Sequence, residues 1–303
     1  MSTTTIPYLG ESFSLLTAIV WASAVILFKR SGESVHPIGL NLFKNVLAVV
    51  LFVPTIWLFG EVLLYPAPLR DYLIVLLSGA LGIGIADTLY FQCLNRVGAG
   101  LTGIIACLYS PAIIIMSTIW LDETLSLWQV VGVMMIVLAI PVATPLGNSH
   151  GLDRQTLLVG LAYGLVSILF TALSIVIVKP VLDYSPLLWV TEIRLMAGVL
   201  VLCITLLFHP KRRSILSSIK APQGRVFTVS GAFTGAYLAM VVWLAGMKYT
   251  QASTASALNE TSSIFIFLLA AIFLHEKITV RRSLGIVLGV VGAILVTFAG
   301  GAG

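Results

Sequence analysis

The chain of 303 residues is 59% hydrophobic and only 10% charged, with a formal net charge of +5 and a mean hydropathy of +1.07. Soluble proteins contain about 45–50% apolar and about 25% charged residues, and folding alone leaves roughly a quarter of the surface of a chain of this size exposed. The composition therefore predicts an integral membrane protein and excludes nucleic-acid binders, secreted disulfide scaffolds and disordered hubs.

Apolar stretches of about 20 residues, the length that crosses a bilayer core as a helix, recur along the chain. In chain order they predict ten transmembrane helices, at residues 12–28, 38–59, 72–94, 101–121, 127–143, 156–178, 186–208, 226–247, 252–274 and 284–299. Turn-forming pairs such as His36-Pro37 and Ser185-Pro186 fall between them. No basic segment precedes the first stretch, so we expect a retained helix and not a signal peptide. The predicted fold is an all-α integral membrane protein.

The second half of the sequence repeats the first. Residues 119–125 and 272–278 share a pattern of three apolar residues followed at the fifth position by glutamate, and a Lys…Pro…basic series at 29, 37 and 44 returns at 179, 186 and 194. The offset is 149–153 residues. An odd number of spans in each unit makes the copies enter the membrane from opposite sides. We predict two inverted five-helix repeats, at 12–146 and 156–300, joined by a linker at 147–155.

Basic residues lie mainly on one side of this predicted topology. With ten spans both termini share a side, and the loops on that side carry three basic residues against twelve in the opposite loops. The positive-inside rule assigns the richer side to the cytoplasm, which predicts that both termini are outside.

Polar residues at membrane depth are costly and usually face a cavity or a partner. In the second span Asn41, Lys44 and Asn45 share one helical face, because they are spaced at i, i+3 and i+4. We predict a polar cavity near the midplane where the halves meet. The predicted substrate-binding residues are Trp21, Asn41, Lys44, Asn45, Tyr90, Gln92, Tyr109, Arg194 and Asn259.

Three carboxylates within the spans are candidates for proton coupling, namely Asp87, Glu192 and Glu260. A carboxylate in a low-dielectric site can take up a proton near neutral pH and release it on exposure to water. The alternative interpretation is structural, with ion pairs between Lys44 and Asp87 or between Arg194 and Glu260 that have no part in coupling.

Four further charged residues, near span ends, are assigned structural roles. Lys29 and Lys179 stand where a long side chain can extend to the interface. Glu123 and Glu276 open short loops just before residues typical of helix N-caps, Ser126 and Thr279. We therefore interpret both glutamates as turn residues.

The sequence has no pattern of metal-ligand spacing. Its three cysteines lie in apolar stretches without a CxxC pair, and its four histidines are isolated loop residues. Buried thiols usually behave as small hydrophobes, whereas metal sites need clustered ligands. We expect no metal, no cofactor and no catalytic residue.

In their order within the duplicated unit, these features resemble the drug/metabolite transporter superfamily, specifically proteins with two tandem EamA domains. The resemblance covers nearly the whole chain and rests on Trp21, Lys29, Pro37, Lys44, Pro111, Glu123, Gly132, Lys179, Pro186, Arg194, Glu276 and Gly285. The sequence departs from the family where Lys44 replaces a commoner arginine, where Phe170 or Thr171 stands at the position of Trp21, and where Asn259-Glu260-Thr261 replaces a frequent proline. The family usually has cytoplasmic termini, in conflict with the charge count.

The resemblance implies a secondary active transporter of the cell (inner) membrane, an exporter of small metabolites such as amino acids, working by alternating access and coupled to protons. Its implied partners are a small-molecule substrate, protons and the lipid bilayer, with no nucleic acid, and a monomer is expected with a dimer as the alternative. An uncoupled uniporter or channel-like facilitator for a small polar solute stays open. An enzyme acting on lipid-linked substrates is disfavoured, because the histidines form no cluster.

Overall fold

The computed structural model describes residues 8–109, 111–113, 115–116, 127–143, 153–220, 222–250 and 252–298, and within these ranges it contains helices and no β-strand. The α-helices are α1 Leu9–Ser31, α2 Pro37–Leu58, α3 Leu69–Gly79, α4 Asp87–Val97, α5 Ala99–Ala106, α6 Leu127–Ala143, α7 Arg154–Tyr184, α8 Leu187–Phe208, α9 Arg212–Ile219, α10 Arg225–Gly231, α11 Ala239–Tyr249, α12 Ala252–Phe273 and α13 Val280–Phe298. Residues 111–113 and 115–116 are also helical.

Six helical stretches are long and apolar enough to cross a membrane, and shorter apolar helices accompany them. The six are Leu9–Ser31, Pro37–Leu58, Leu69–Val97, Arg154–Tyr184, Leu187–Phe208 and Arg225–Tyr249, and the shorter ones are Ala99–Ile113, Val130–Ala139 and Thr261–Phe273. A multi-pass membrane protein is thereby supported. The count of ten spans stays a prediction, because part of the fourth predicted span lies outside the described residues.

Large apolar side chains cover the outer surface of these helices. Phe208 is 85% exposed, and Leu200 and Val287 are also largely exposed. Soluble proteins rarely expose such continuous apolar surface, whereas a bilayer solvates it. Cys203 belongs to this outer surface, whereas Cys93 and Cys107 are buried.

Two π-helical segments mark equivalent places in the two halves. The segment Ala80–Ala86 joins α3 to α4, and the segment Ala232–Leu238 joins α10 to α11, each seven residues long. Segments of this kind often occur at functional sites. In the first segment, neighbouring helices supply donors to the backbone: Asn41 Nδ2 donates to the Ile83 carbonyl at 2.9 Å and Ser167 Oγ donates to the Ala86 carbonyl at 2.8 Å. The internal repeat is therefore visible in the backbone itself.

The two lysines at span ends also occupy equivalent positions. Lys29 Nζ donates to the carbonyl of Leu94 at 3.0 Å and that of Asn95 at 3.2 Å, while Lys179 Nζ donates to the carbonyl of Met247 at 2.8 Å. The last carbonyls of a helix lack intrahelical donors, and a cation there also meets the negative end of the helix dipole. The structural role predicted for both lysines is confirmed, although they cap α4 and α11 instead of extending to the interface.

Glu276 connects the two halves. Its Oε1 accepts from the backbone N–H of Ala99 at 2.7 Å, and its Oε2 accepts from the N–H of Gly100 at 3.2 Å and from Arg282 Nη1 at 3.1 Å. Glu276 lies in the loop before Thr279, as predicted, and its side chain also caps the first turn of α5 in the other half, which the sequence did not predict. Thr279 Oγ1 accepts from the N–H of Arg282, as expected of an N-cap. Glu123 and Ser126 lie outside the described residues.

Small residues let the halves approach closely. A Cβ added to Gly79 would lie 2.2 Å from the carbonyl oxygen of Arg194, and one added to Gly82 would lie 2.4 Å from Ser174 Oγ. Close backbone approach through small residues is the common means of packing helices in membranes. A core cluster spans both halves here, with Val75 buried against residues of α7, α8 and α11. The space enclosed between the helices is therefore bordered by both repeats.

Two titratable caps lie at helix starts outside the spans. Asp153 begins α7, and hydrogen bonds from the N–H of Gln155 and from the hydroxyl and N–H of Thr156 hold the pKa of Asp153 below its usual value. His36 begins α2, where its Nδ1 accepts from the N–H of Ile38 at 3.3 Å. Burial, and then the neighbouring His209 and Lys211, lower the pKa of His36.

Candidate substrate cavity

A cavity of about 160 Å³ lies between the halves. Most of the exposed area of its wall is apolar, although about half of the lining residues carry a polar group. Both halves contribute lining residues, which are Thr17, Ala18, Trp21, Lys44, Asp87, Tyr90, Ala106, Tyr109, Ser167, Ile168, Thr171, Gly235, Ala239, Met240, Trp243, Asn259 and Ser262. A site that both repeats build can change its access when one repeat moves against the other.

An ion pair between α2 and α4 forms part of the wall. Lys44 Nζ donates to Asp87 Oδ2 at 2.6 Å, and the side chain of Lys44 is 2% exposed whereas that of Asp87 is 23% exposed. Asp87 is the first residue after the first π-helical segment. The carboxylate is therefore the member of the pair that the cavity can hydrate, and the ammonium lies behind it.

Two asparagines support this ion pair from the protein side. Asn45 Oδ1 accepts from Lys44 Nζ at 3.1 Å, and Asn45 Nδ2 donates to Asn41 Oδ1 at 2.8 Å. Asn41 Nδ2 in turn donates to the carbonyl of Ile83 and to Thr88 Oγ1. The predicted polar face of α2 thus forms a hydrogen-bonded chain that fixes the position of Lys44, and the two asparagines do not line the cavity.

Two lining residues have buried polar atoms without a hydrogen-bond partner in the described part of the chain. These are both amide atoms of Asn259, whose side chain is 9% exposed, and the hydroxyl of Tyr90. The ring of Tyr90 packs 5.9 Å from that of Trp21. Buried polar groups are nearly always hydrogen-bonded, and leaving one unsatisfied costs about 1–3 kcal/mol. These atoms are accordingly suited to bind a polar group of a solute.

Arg194 is a second buried cation, placed behind the wall. It is 2% exposed, and its guanidinium lies 5.7 Å from the centroid of the Trp243 ring. Nη2 donates to Ser174 Oγ at 3.2 Å, while Nε and Nη1 have no hydrogen-bond partner among the described residues. No carboxylate of the described chain forms an ion pair with it.

The structure brings together only some of the residues that the sequence singled out. Those lining the cavity are Trp21, Lys44, Asp87, Tyr90, Tyr109 and Asn259. Three other predicted substrate-binding residues do not line the cavity: Asn41 and Asn45 bind backbone and side-chain groups behind Lys44, and Gln92 accepts from Arg96. Neither Arg194 nor Glu192 lines the cavity, and Glu192 is buried at 1% exposure. The side chain of Glu260 lies outside the described residues.

Sequence reasoning missed most of the apolar wall. Ile168, Met240 and Trp243 line the cavity, but in an apolar helix such residues look the same whether they face lipid, core or cavity. One weak indication for Trp243 was visible in the sequence: tryptophan is enriched at the membrane interface, whereas this residue falls inside the predicted span 226–247. Ser167 and Thr171 were equally visible as polar residues in the sixth predicted span.

Long apolar helices around a cavity that both halves line are the arrangement expected of a multi-pass membrane transporter. The model of the EamA-like transporter family matches residues 8–144 and again residues 158–298. The chain belongs to the EamA-like transporter family, which confirms the resemblance drawn from the sequence and assigns the protein to the transporters.

A curated relative agrees with this assignment, and a solved structure shares the fold. An uncharacterized transporter of Archaeoglobus fulgidus is 25% identical over 285 residues, which cover 93% of this chain and 95% of that protein. A protein of known crystal structure, 18% identical, superposes with a TM-score of 0.71 over 95% of this chain and 96% of its own. At this identity the second comparison shows a shared fold alone.

Proposed function

We propose that this protein is a secondary active transporter that carries a small metabolite, such as an amino acid or a related compound, through the cavity between its halves. The observation that carries the proposal is the Lys44–Asp87 ion pair in the wall of a cavity that both repeats build. Charged groups inside the membrane typically mark substrate or ion pathways. Inverted repeats that move against each other around a central site are the usual basis of alternating access.

The cavity favours a small solute with an apolar body. Its volume of about 160 Å³ is below the roughly 300–1,000 Å³ of pockets that hold drug-sized ligands. Trp21 and Trp243 offer aromatic surface, and Asn259 offers both a donor and an acceptor. Such a wall suits a molecule with one aliphatic or aromatic part and a compact polar end.

Asp87 is the proposed proton carrier. Its side chain lines the cavity and is 23% exposed, and a proton on Oδ2 would remove the charge that holds Lys44. Because this pair links α2 to α4, protonation would weaken the link between two helices at the same cavity. A proton can shift a conformational equilibrium only if it binds the two states differently, and this ion pair supplies that difference.

The test is transport by reconstituted protein. A thermal-shift screen of amino acids, nucleosides, polyamines and aromatic acids at two pH values identifies a ligand, whose uptake is then measured in proteoliposomes with and without an imposed pH gradient. Asp87→Asn is expected to abolish gradient-driven accumulation and to keep exchange. Asp183→Asn is the matched control, because Asp183 also pairs with a lysine, Lys179, but lies outside the cavity.

Accumulation against a gradient in Asp87→Asn equal to that of the wild type would exclude Asp87 as the coupling residue. Downhill flux alone in the wild type, insensitive to the pH gradient, would identify an uncoupled facilitator. We also propose export as the direction of transport, which uptake into inside-out membrane vesicles tests directly.

A further inference from the structure

Each half of the protein places a buried cation in the same surroundings. Lys44 of α2 and Arg194 of α8 are 150 positions apart and are each 2% exposed. Lys44 Nζ lies 5.7 Å from the centroid of the Phe91 ring, and the Arg194 guanidinium lies 5.7 Å from that of Trp243. The two aromatic residues are themselves 152 positions apart. The repeat is therefore preserved around both cations.

The anion differs between the halves. In the first half, Asp87 follows the π-helical segment directly and pairs with Lys44 at 2.6 Å. In the second half, the residue that follows the equivalent π-helical segment is Ala239, which lines the cavity with a methyl group. Arg194 therefore occupies the position equivalent to Lys44, but the position equivalent to Asp87 carries no carboxylate.

The energetic cost of this arrangement points to a ligand. A buried charge without a partner is strongly destabilising, and Nε and Nη1 of Arg194 have no hydrogen-bond partner in the described parts of the chain. Glu192 lies two positions away on α8 and forms no ion pair with it among the described residues. Each of these nitrogens carries N–H groups that can donate a charge-assisted hydrogen bond to a carboxylate.

We propose that Arg194 binds the carboxylate of the transported solute, at the place in the second half that Asp87 occupies in the first. This inference rests on the proposed function and narrows its substrate to carboxylic acids, amino acids included. Access requires the Trp243 ring, which lines the cavity and covers the guanidinium, to turn away from Arg194. The methyl side chain of Ala239 leaves room for the carboxylate beside it, and Asn259 remains for a second polar group.

The experiment supplies the missing carboxylate from the protein itself. Ala239→Asp places an acid where the repeat predicts a partner for Arg194, and Ala239→Asn adds nearly the same volume without the charge. Thermal shifts of purified wild type and both variants are measured with L-amino acids, benzoate and phenylacetate, and with the amide of each acid. The amides keep the shape of the probes and remove the negative charge.

In the wild type, at least one acid is expected to raise the melting temperature, and its amide to bind at least tenfold more weakly, the loss expected for one charge-assisted hydrogen bond. Ala239→Asp is expected to melt above Ala239→Asn without ligand and to lose the preference for acids, which Ala239→Asn keeps. Arg194→Gln should also lose this preference. If Arg194→Gln does not fold, the comparison of Ala239→Asp with Ala239→Asn tests the proposal without it.

The proposal is overturned if amides bind as well as acids, if no acid binds the wild type, or if Ala239→Asp keeps the acid preference. A transport assay distinguishes the failure of this carboxylate site from a failure of the proposed transport function. Proteoliposomes in which the wild type and Ala239→Asp carry amines or neutral solutes equally well would leave the transporter in place and remove the carboxylate site. Wild-type protein that binds acids but transports no solute would support the carboxylate site and contradict the proposed transport function.

Discussion

Removing either member of the Lys44–Asp87 pair is expected to have unequal effects on stability. Asp87→Asn leaves the ammonium of Lys44 buried at 2% exposure, with Asn45 Oδ1 at 3.1 Å as its other acceptor. Leaving a buried charge unpaired costs about 3–5 kcal/mol. Lys44→Met leaves a carboxylate that is 23% exposed to the cavity, where water can hydrate it, so the cost is smaller, about 1–3 kcal/mol.

The double variant separates the ion pair from other effects of the two substitutions. Since replacing both members of a buried pair is often nearly neutral, Lys44→Met with Asp87→Asn is expected to recover most of the loss, and a double-mutant cycle gives the coupling free energy. For Asp87→Asn alone, the melting temperature should fall by about 6–20 °C. Thermal unfolding of purified protein in detergent, followed by tryptophan fluorescence, measures all four forms. Equal losses in the two single variants, or additive losses in the double variant, would refute this account.

Three further predictions concern positions away from the ion pair. Glu276→Ala removes the cap of α5 and is expected to cost about 1 kcal/mol, seen as a lower melting temperature; an unchanged value would show that the contact with Ala99 is not stabilising. The lowered pKa of His36 means that its contribution to stability is present above its unfolded value near 6.5 and is lost as the pH falls through the lower folded value. Wild-type melting temperature should therefore drop on acidification, and His36→Asn, which keeps a capping acceptor, should lack that drop; parallel pH profiles would contradict this. Gly79→Ala places a Cβ 2.2 Å from the Arg194 carbonyl oxygen and should reduce the yield of folded protein. A yield equal to that of the wild type would argue against close packing of the halves.

The residues of the second span show how far sequence reasoning reached into the site. The i, i+3, i+4 spacing correctly placed Asn41, Lys44 and Asn45 on one face, because helical periodicity is a local property. That spacing does not say which of the three side chains meets the cavity. The packing of α2 against the first π-helical segment decided this, since it directs Asn41 to the Ile83 carbonyl and leaves Lys44 beside Asp87.

The membrane class, the helical fold and the family followed from the sequence alone, because hydropathy and helix length are set by the thickness of the bilayer and a duplicated order of residues is visible without coordinates. The partners of the charged groups did not follow, since each depends on which helix packs against it. Glu276 caps a helix 176 positions earlier, and Arg194 lies next to Trp243 without an ion pair in the described part of the chain. Only the tertiary structure, by bringing distant segments within hydrogen-bond distance, determined which of these charges are paired.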